Sequence, residues 1–179
     1  PSLVGSEMCI RDRLCCTLDA PDIAVLKDSW QHLLQHRSVL RSSFFANAFR
    51  IPVQCVHDQV TIPFDELDYR SLSATEQLAA WTAYEAADLV KGFDFNTPPL
   101  MRIALIRLTD KQYRMVWTFH HLLLDGWSGS VVVEELLETY DQLLTNKKPA
   151  VIEEEKYEDY IRYLERRDQE EEILYWKGY

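Results

Sequence analysis

The apolar residues Ile23, Leu26, Trp30, Leu33 and Leu34 recur at helical spacing, which predicts an amphipathic helix. Asp19 or Asp22 can cap its start, Pro21 suits its entry, and it ends near His36. Val39 to Phe49 then reads as a strand that turns at Pro52 into a hairpin partner, Val53 to Val60. Ser73-Ala74-Thr75-Glu76 is a capping box, so a second helix is predicted over 74–90. Gly92 to Pro99 is a loop carrying Phe93 and Phe95, both expected to anchor it in the core. Met101 to Leu108 and Tyr113 to Phe119 read as strands joined by a turn at Thr109-Asp110-Lys111. Both are apolar on both faces, which predicts central strands covered by helices. Val133, Leu136, Leu137, Tyr140, Leu143 and Leu144 form one helical stripe, closed by Lys147-Lys148-Pro149. Tyr157, Tyr160, Ile161 and Leu164 mark another helix, and Ile173, Leu174 and Trp176 begin a last one. No internal repeat is visible. The sum is a mixed α/β domain of the α+β layer type, with helices on a mostly antiparallel sheet.

A length of 179 residues suffices for one domain with a real core. The net charge of −10 argues against nucleic-acid binding, which needs a basic face. Much of the acid lies in Glu153-Glu154-Glu155 and Glu170-Glu171-Glu172, which read as solvated helical faces. Cys9, Cys15, Cys16 and Cys55 form no CxxC and no metal-ligand cluster with histidine, so no metal site is expected. A vicinal Cys15-Cys16 pair is a poor disulfide, and reduced thiols in a cytoplasmic protein are the simplest reading. No apolar run reaches the roughly 18 residues of a membrane span. Ser2 to Arg13 has neither periodicity nor a capping pattern and resembles a translated sequencing-adapter remnant. Residues 1–14 are therefore set aside as non-native, and 15–179 as the native segment, which reads as a fragment cut at its C-terminal end.

The chemistry lies in His120-His121-Leu122-Leu123-Leu124-Asp125-Gly126, the pattern HHxxxDG. It places an imidazole after a strand, in a loop, at the mouth of a helix. Histidine's unperturbed pKa lies nearest neutrality, so this is a place for proton transfer. The bland competitor is two strand-end histidines followed by a simple Asp-Gly turn. His32 falls on the polar face of its helix and is expected to be solvated; His57 is unremarkable.

Four stretches, in order, resemble one family. His36-Arg37-Ser38-Val39-Leu40-Arg41-Ser42-Ser43-Phe44 is similar to an RHxxLRTxF segment. Gly92-Phe93-Asp94-Phe95 with Pro98-Pro99-Leu100-Met101-Arg102 is similar to FDLxxxPLLR. His120 to Ser128 supplies HHLLLDGWS, and Tyr157-Glu158-Asp159-Tyr160 through Trp176 is similar to a YxDYxxWL…yW stretch. The family is the condensation domain of nonribosomal peptide synthetases, and more loosely the chloramphenicol-acetyltransferase-like acyltransferases. His36-Arg37 inverts the usual Arg-His, so only Arg41 is carried over from the first stretch.

The resemblance implies a chloramphenicol-acetyltransferase-like fold, present here as the N-terminal lobe of a two-lobed domain. It implies amide-bond formation between carrier-bound acyl or peptidyl and aminoacyl thioesters. The lobe itself would bind no cofactor; substrates would arrive on the 4'-phosphopantetheine of carrier domains. Implied partners are those carriers, the C-terminal lobe and an adjacent adenylation domain, with neither nucleic acid nor membrane. Alternatives are an acyl-CoA-dependent acyltransferase, an epimerisation domain, or a non-catalytic carrier-docking lobe. The isolated lobe is expected to be inactive. His121 takes the catalytic position, as base or as orienter of the amine. His120 is supporting. Asp125 either orients His121 or forms a buried ion pair with Arg41; the resemblance implies the pair, whose rupture would strand a buried charge. Gly126 lets backbone approach substrate, and its N–H can serve an oxyanion. Trp127 is expected in the core, with Ser128 as the cap of the following helix.

Overall fold

The computed structural model describes residues 11–150, 157–167 and 169–178. Along them run β1 (Arg11–Asp19), α1 (Ile23–His36), β2 (Ser42–Phe45), β3 (Val53–Val56), β4 (Phe64–Asp68), α2 (Ala74–Lys91), β5 (Met101–Arg107), β6 (Gln112–His120), α3 (Gly126–Leu144), α4 (Tyr157–Glu165) and α5 (Gln169–Lys177). The acidic run at 153–155, Cys9 and most of the adapter-like segment lie outside the described residues.

β5 and β6 form a hairpin about the expected turn, with Met101 opposite Phe119 and Arg107 opposite Tyr113. They sit at the centre of a sheet ordered β1-β6-β5-β4. Side chains alternate between faces along a strand. Met101, Ile103, Leu105, Met115, Trp117 and Phe119 therefore share one face, where they meet Trp30, Leu33 and Leu34 of α1 and Val132 and Leu136 of α3. Trp30 and Trp117 lie at its heart, ring centroids 5.0 Å apart. Ala104, Ile106 and Val116 point the other way, onto Trp81 and Tyr84 of α2. Apolar residues on both faces thus mean helices on both faces, as the pattern predicts.

Asp22 caps α1, its carboxylate accepting the Val25 N–H at 3.1 Å. Ser73 and Glu76 close the predicted capping box on α2. Two strands depart from expectation. β4 escaped the sequence reading because it is a short edge strand with three acidic residues, Asp65, Glu66 and Asp68. It runs parallel to β5, with α2 as the crossover between them. β1 begins at Arg11, inside the segment set aside, and pairs antiparallel with the whole of β6. Ladder bonding uses backbone groups, so a poor side-chain pattern does not prevent it. A third difference is local: Ser38–Arg41 forms a single 3₁₀ turn, and the strand after it starts only at Ser42. No helix among the described residues is long and apolar enough to cross a membrane.

Candidate active site

β6 ends at His120, a turn carries His121 to Leu123, and α3 starts at Gly126. Leu123 and Leu124 are buried and pin this loop to the core. The two histidines are thereby split between environments. His120 is only 6% exposed, while the His121 side chain is 36% exposed.

His120 is held at the edge of the core. Its Nδ1 accepts the Leu122 N–H at 3.0 Å, which puts the hydrogen of the neutral ring on Nε2. Its own backbone N–H donates to Leu100 O at 3.0 Å. Burial, with the His121 ring and the Arg11 guanidinium nearby, holds His120 below the usual histidine range. Phe93 and Phe95 stand edge-on to its ring, at centroid distances of 6.4 and 4.8 Å. Phe93 packs against the core, but Phe95 is 43% exposed; it guards His120 rather than anchoring in the core.

His121 is oriented by a backbone group. Its Nδ1 lies 3.2 Å from Leu124 O, which can only accept, so Nδ1 carries the hydrogen and Nε2 is the basic nitrogen of the neutral ring. Nε2 also lies 3.2 Å from Asp12 Oδ2, an ion pair when the ring is charged.

Asp125 takes neither of its expected roles. No ion pair joins it to Arg41 or to His121, all three being described residues. It is instead the N-cap of α3, accepting the Ser128 N–H at 2.7 Å, and that bond and the Ser128 hydroxyl hold its carboxyl below the usual range. Ser128 is thus the capped residue, not the cap. The reason is reach: Asp125 sits where a side chain meets the free N–H groups of a first turn. Arg41, at the end of the 3₁₀ turn, donates to the carbonyls of His57 and Asp58 and ties down the β2–β3 hairpin. The ion pair that does join the early stretch to α3 is Arg37–Glu135, with Arg37 Nε 3.0 Å from Glu135 Oε2.

Gly126 opens α3 on the surface, and a Cβ placed there would meet nothing within 4 Å. A cleft of about 330 Å³ lies beside it, floored by Trp117 and Phe119 and edged by Gly129 and Ser130. A larger groove of about 1430 Å³ follows the other flank of α3, lined by Leu123, Leu124, Val131 and Tyr160. Trp127, expected in the core, projects into that groove at 85% exposure, because the second position of α3 faces away from the sheet. Two other histidines also differ from expectation. His32 is half-buried, its ring tilted against that of His36 with centroids 4.0 Å apart, and burial holds it below the usual histidine range. His57 Nε2 meets the buried Ser43 hydroxyl at 2.8 Å.

Sequence reasoning passed over one buried constellation. Arg13, Thr118 and Arg102 stand side by side across β1, β6 and β5. Asp88 of α2 comes down on this row: Arg102 Nε and Arg13 each reach its carboxylate at 2.5 Å, and the Thr118 hydroxyl at 3.1 Å. Burial alone would raise the Asp88 carboxyl, but the bonds from Arg102 and Arg13 outweigh it and hold it below the usual range. The only signal was a lone Asp late in an amphipathic helix.

Fold and loop together define a chloramphenicol-acetyltransferase-like fold presenting HHxxxDG at a strand–helix junction. The Condensation domain family matches residues 16–179, and the chain belongs to that family. It is 36% identical over 159 residues to bacitracin synthase 1 of Bacillus licheniformis, covering 89% of this chain and 3% of that protein. It is 31% identical over 157 residues to gramicidin S synthase 2 of Brevibacillus brevis, covering 87% of this chain and 4% of that protein. The EpoB NRPS cyclization-docking bidomain from Sorangium cellulosum has the same fold, with a TM-score of 0.79 at 21% identity over 94% of this chain and 33% of its own. The chain thus spans about a third of that bidomain and a few per cent of the curated relatives. Asp12 lies before the matched residues.

Proposed function

We propose that this chain is the N-terminal lobe of a condensation domain that joins carrier-bound thioesters through an amide bond, with His121 as proton acceptor. The observation that supports the reading is the presentation of His121: its Nδ1 is engaged by Leu124 O and its side chain is 36% exposed at the strand–helix junction. A free α-amine titrates near 8, so a neutral fraction is present without help. The amine nitrogen of the aminoacyl thioester attacks the thioester carbonyl of the other substrate. The nitrogen becomes cationic in the tetrahedral adduct and gives its proton to His121 Nε2. The C–S bond then breaks, and the leaving thiolate takes the proton back from the imidazolium. The reading assigns the Gly126 N–H to the developing oxyanion, because an amide in the first turn of a helix has no intrahelical acceptor.

Asp12 is not assigned a part, since it precedes the family match and falls within the segment read as non-native. Phosphopantetheine arms of carrier domains bring both substrates, and an adjacent adenylation domain loads the acceptor carrier. The C-terminal lobe supplies the facing wall, so the 179-residue chain alone is inactive. Intact-mass analysis of a loaded donor and acceptor carrier pair, with the complete synthetase module, tests the assignment. His121→Ala is expected to stop transfer of the acyl group while the module stays folded; transfer at the unaltered rate refutes it. Transfer by the isolated chain refutes the need for the second lobe.

A further inference from the structure

We propose that residues 92–95 form a strap that positions the catalytic loop, with Phe95 as its positioning residue; this rests on the reading of His121 given above. The strap crosses His120, the residue from which the loop hangs. One end is fixed by Arg102, whose guanidinium donates to Gly92 O at 2.7 Å and lies over the Phe93 ring at 4.4 Å. Arg102 is itself held by the Asp88 carboxylate. The other end is fixed by the hairpin, the Phe44 N–H donating to Phe95 O at 2.7 Å. Between them, Asp94 stiffens the strap by accepting from Asn96 N at 3.0 Å and Thr97 Oγ1 at 2.8 Å.

The strap's two aromatic rings close on the His120 imidazole from its edge, Phe95 the nearer at 4.8 Å. They leave that ring one setting, in which Nδ1 takes the Leu122 N–H. Leu122 follows His121 directly, so this bond fixes the turn that brings His121 Nδ1 to Leu124 O. Phe95 touches no reacting atom; it acts on His121 through His120. Its half-exposed ring adds little to the core, which makes it separable from folding.

Amide hydrogen exchange on the intact chain tests this without any turnover, so its failure is distinct from failure of the catalytic reading. In the wild-type chain the Leu122 amide is expected to exchange more slowly than in an unstructured peptide. Phe95→Ala is expected to speed Leu122 exchange by about tenfold while Val116 and Trp117, in the middle of β6, keep their rates. Phe95→Leu, which refills the volume over His120, is expected to hold Leu122 within about threefold of wild type. The imidazole nitrogen shifts of His120 should pass from a single Nε2–H tautomer to a mixture in the alanine variant alone. Three results overturn the proposal: a Leu122 amide in the wild-type chain as fast as in an unstructured peptide, an unchanged rate in Phe95→Ala, or a rise matched by Val116.

Discussion

Asp88 gives the sharpest test of the physical account. Its side chain is 3% exposed and that of Arg102 5%, so neither charge can recover water without opening the α2–sheet interface. Removing the carboxylate leaves Arg102 charged and buried, a situation that costs about 3–5 kcal/mol. Arg13 adds less, because its side chain is 22% exposed and can turn to Glu85. Against a whole-domain stability of roughly 5–15 kcal/mol, Asp88→Ala consumes a large share. The expected fall in Tm is about 6–20 °C for a chain of this size. Thermal unfolding measures the Tm, and urea unfolding followed by tryptophan fluorescence measures the free-energy loss. Asp88→Leu combined with Arg102→Met removes both charges and should recover most of the loss, since an apolar replacement of a buried pair is near neutral. The acid limb follows from sign. A carboxyl held below its unfolded value contributes stability above the ordinary value near 4 and loses it as pH falls through the folded value. Asp88→Asn should flatten that limb. A cost under about 1 kcal/mol for Asp88→Ala, or strictly additive losses in the double variant, would show that the site is hydrated and the reasoning wrong.

Further expectations concern the loop. A double-mutant cycle of Asp125→Ala with Arg41→Ala should give no coupling, since no ion pair joins them; Asp125→Asn, which still caps, should behave as wild type, and a large coupling in urea unfolding would contradict the capping role. Gly126→Ala meets open space, so the unfolding midpoint should stay or rise while acyl transfer by the complete module falls; equal transfer would mean that substrate does not pass over Gly126. His120 and His32 are held below the ordinary histidine value, so both oppose folding once pH drops below about 6.5; stability should decline from there downward, and His120→Gln should lessen that slope. An unchanged slope would mean that His120 titrates alike in the folded and unfolded chain.

What the sequence disclosed depended on whether side chains carried the signal. The capping box at Ser73 and Glu76 and the stripe from Ile23 to Leu34 led directly to α2 and α1. The double-sided apolar character of β5 and β6 placed them at the sheet centre. β4 was missed because an edge strand mixes acids with few apolar residues, and β1 because it starts inside the segment set aside, although Leu14, Cys16 and Leu18 alternate onto the core. In the site, HHxxxDG located the loop between a strand and a helix. It could not disclose that Leu124 O orients His121, since a carbonyl leaves no mark on residue identity. The Arg41–Asp125 pairing failed for a related reason: a capping geometry at the head of α3 claims the carboxylate first. Trp127 was misplaced because hydrophobicity says that a ring seeks cover, not which surface supplies it.

The pairing of β1 with β6 bears on how such a chain is made. Arg11 lies against His120 and Asp19 against Gln112, residues roughly a hundred positions apart, and contacts so distant close slowly. During synthesis from the N-terminus, β1 emerges long before its ladder partner β6, which ends at His120. α1 then leaves the ribosome with Trp30, Leu33 and Leu34 uncovered. The last act of assembling this sheet is therefore also the act that settles the strand beneath His121, so a nascent chain stalled before residue 120 has neither a closed core nor a site.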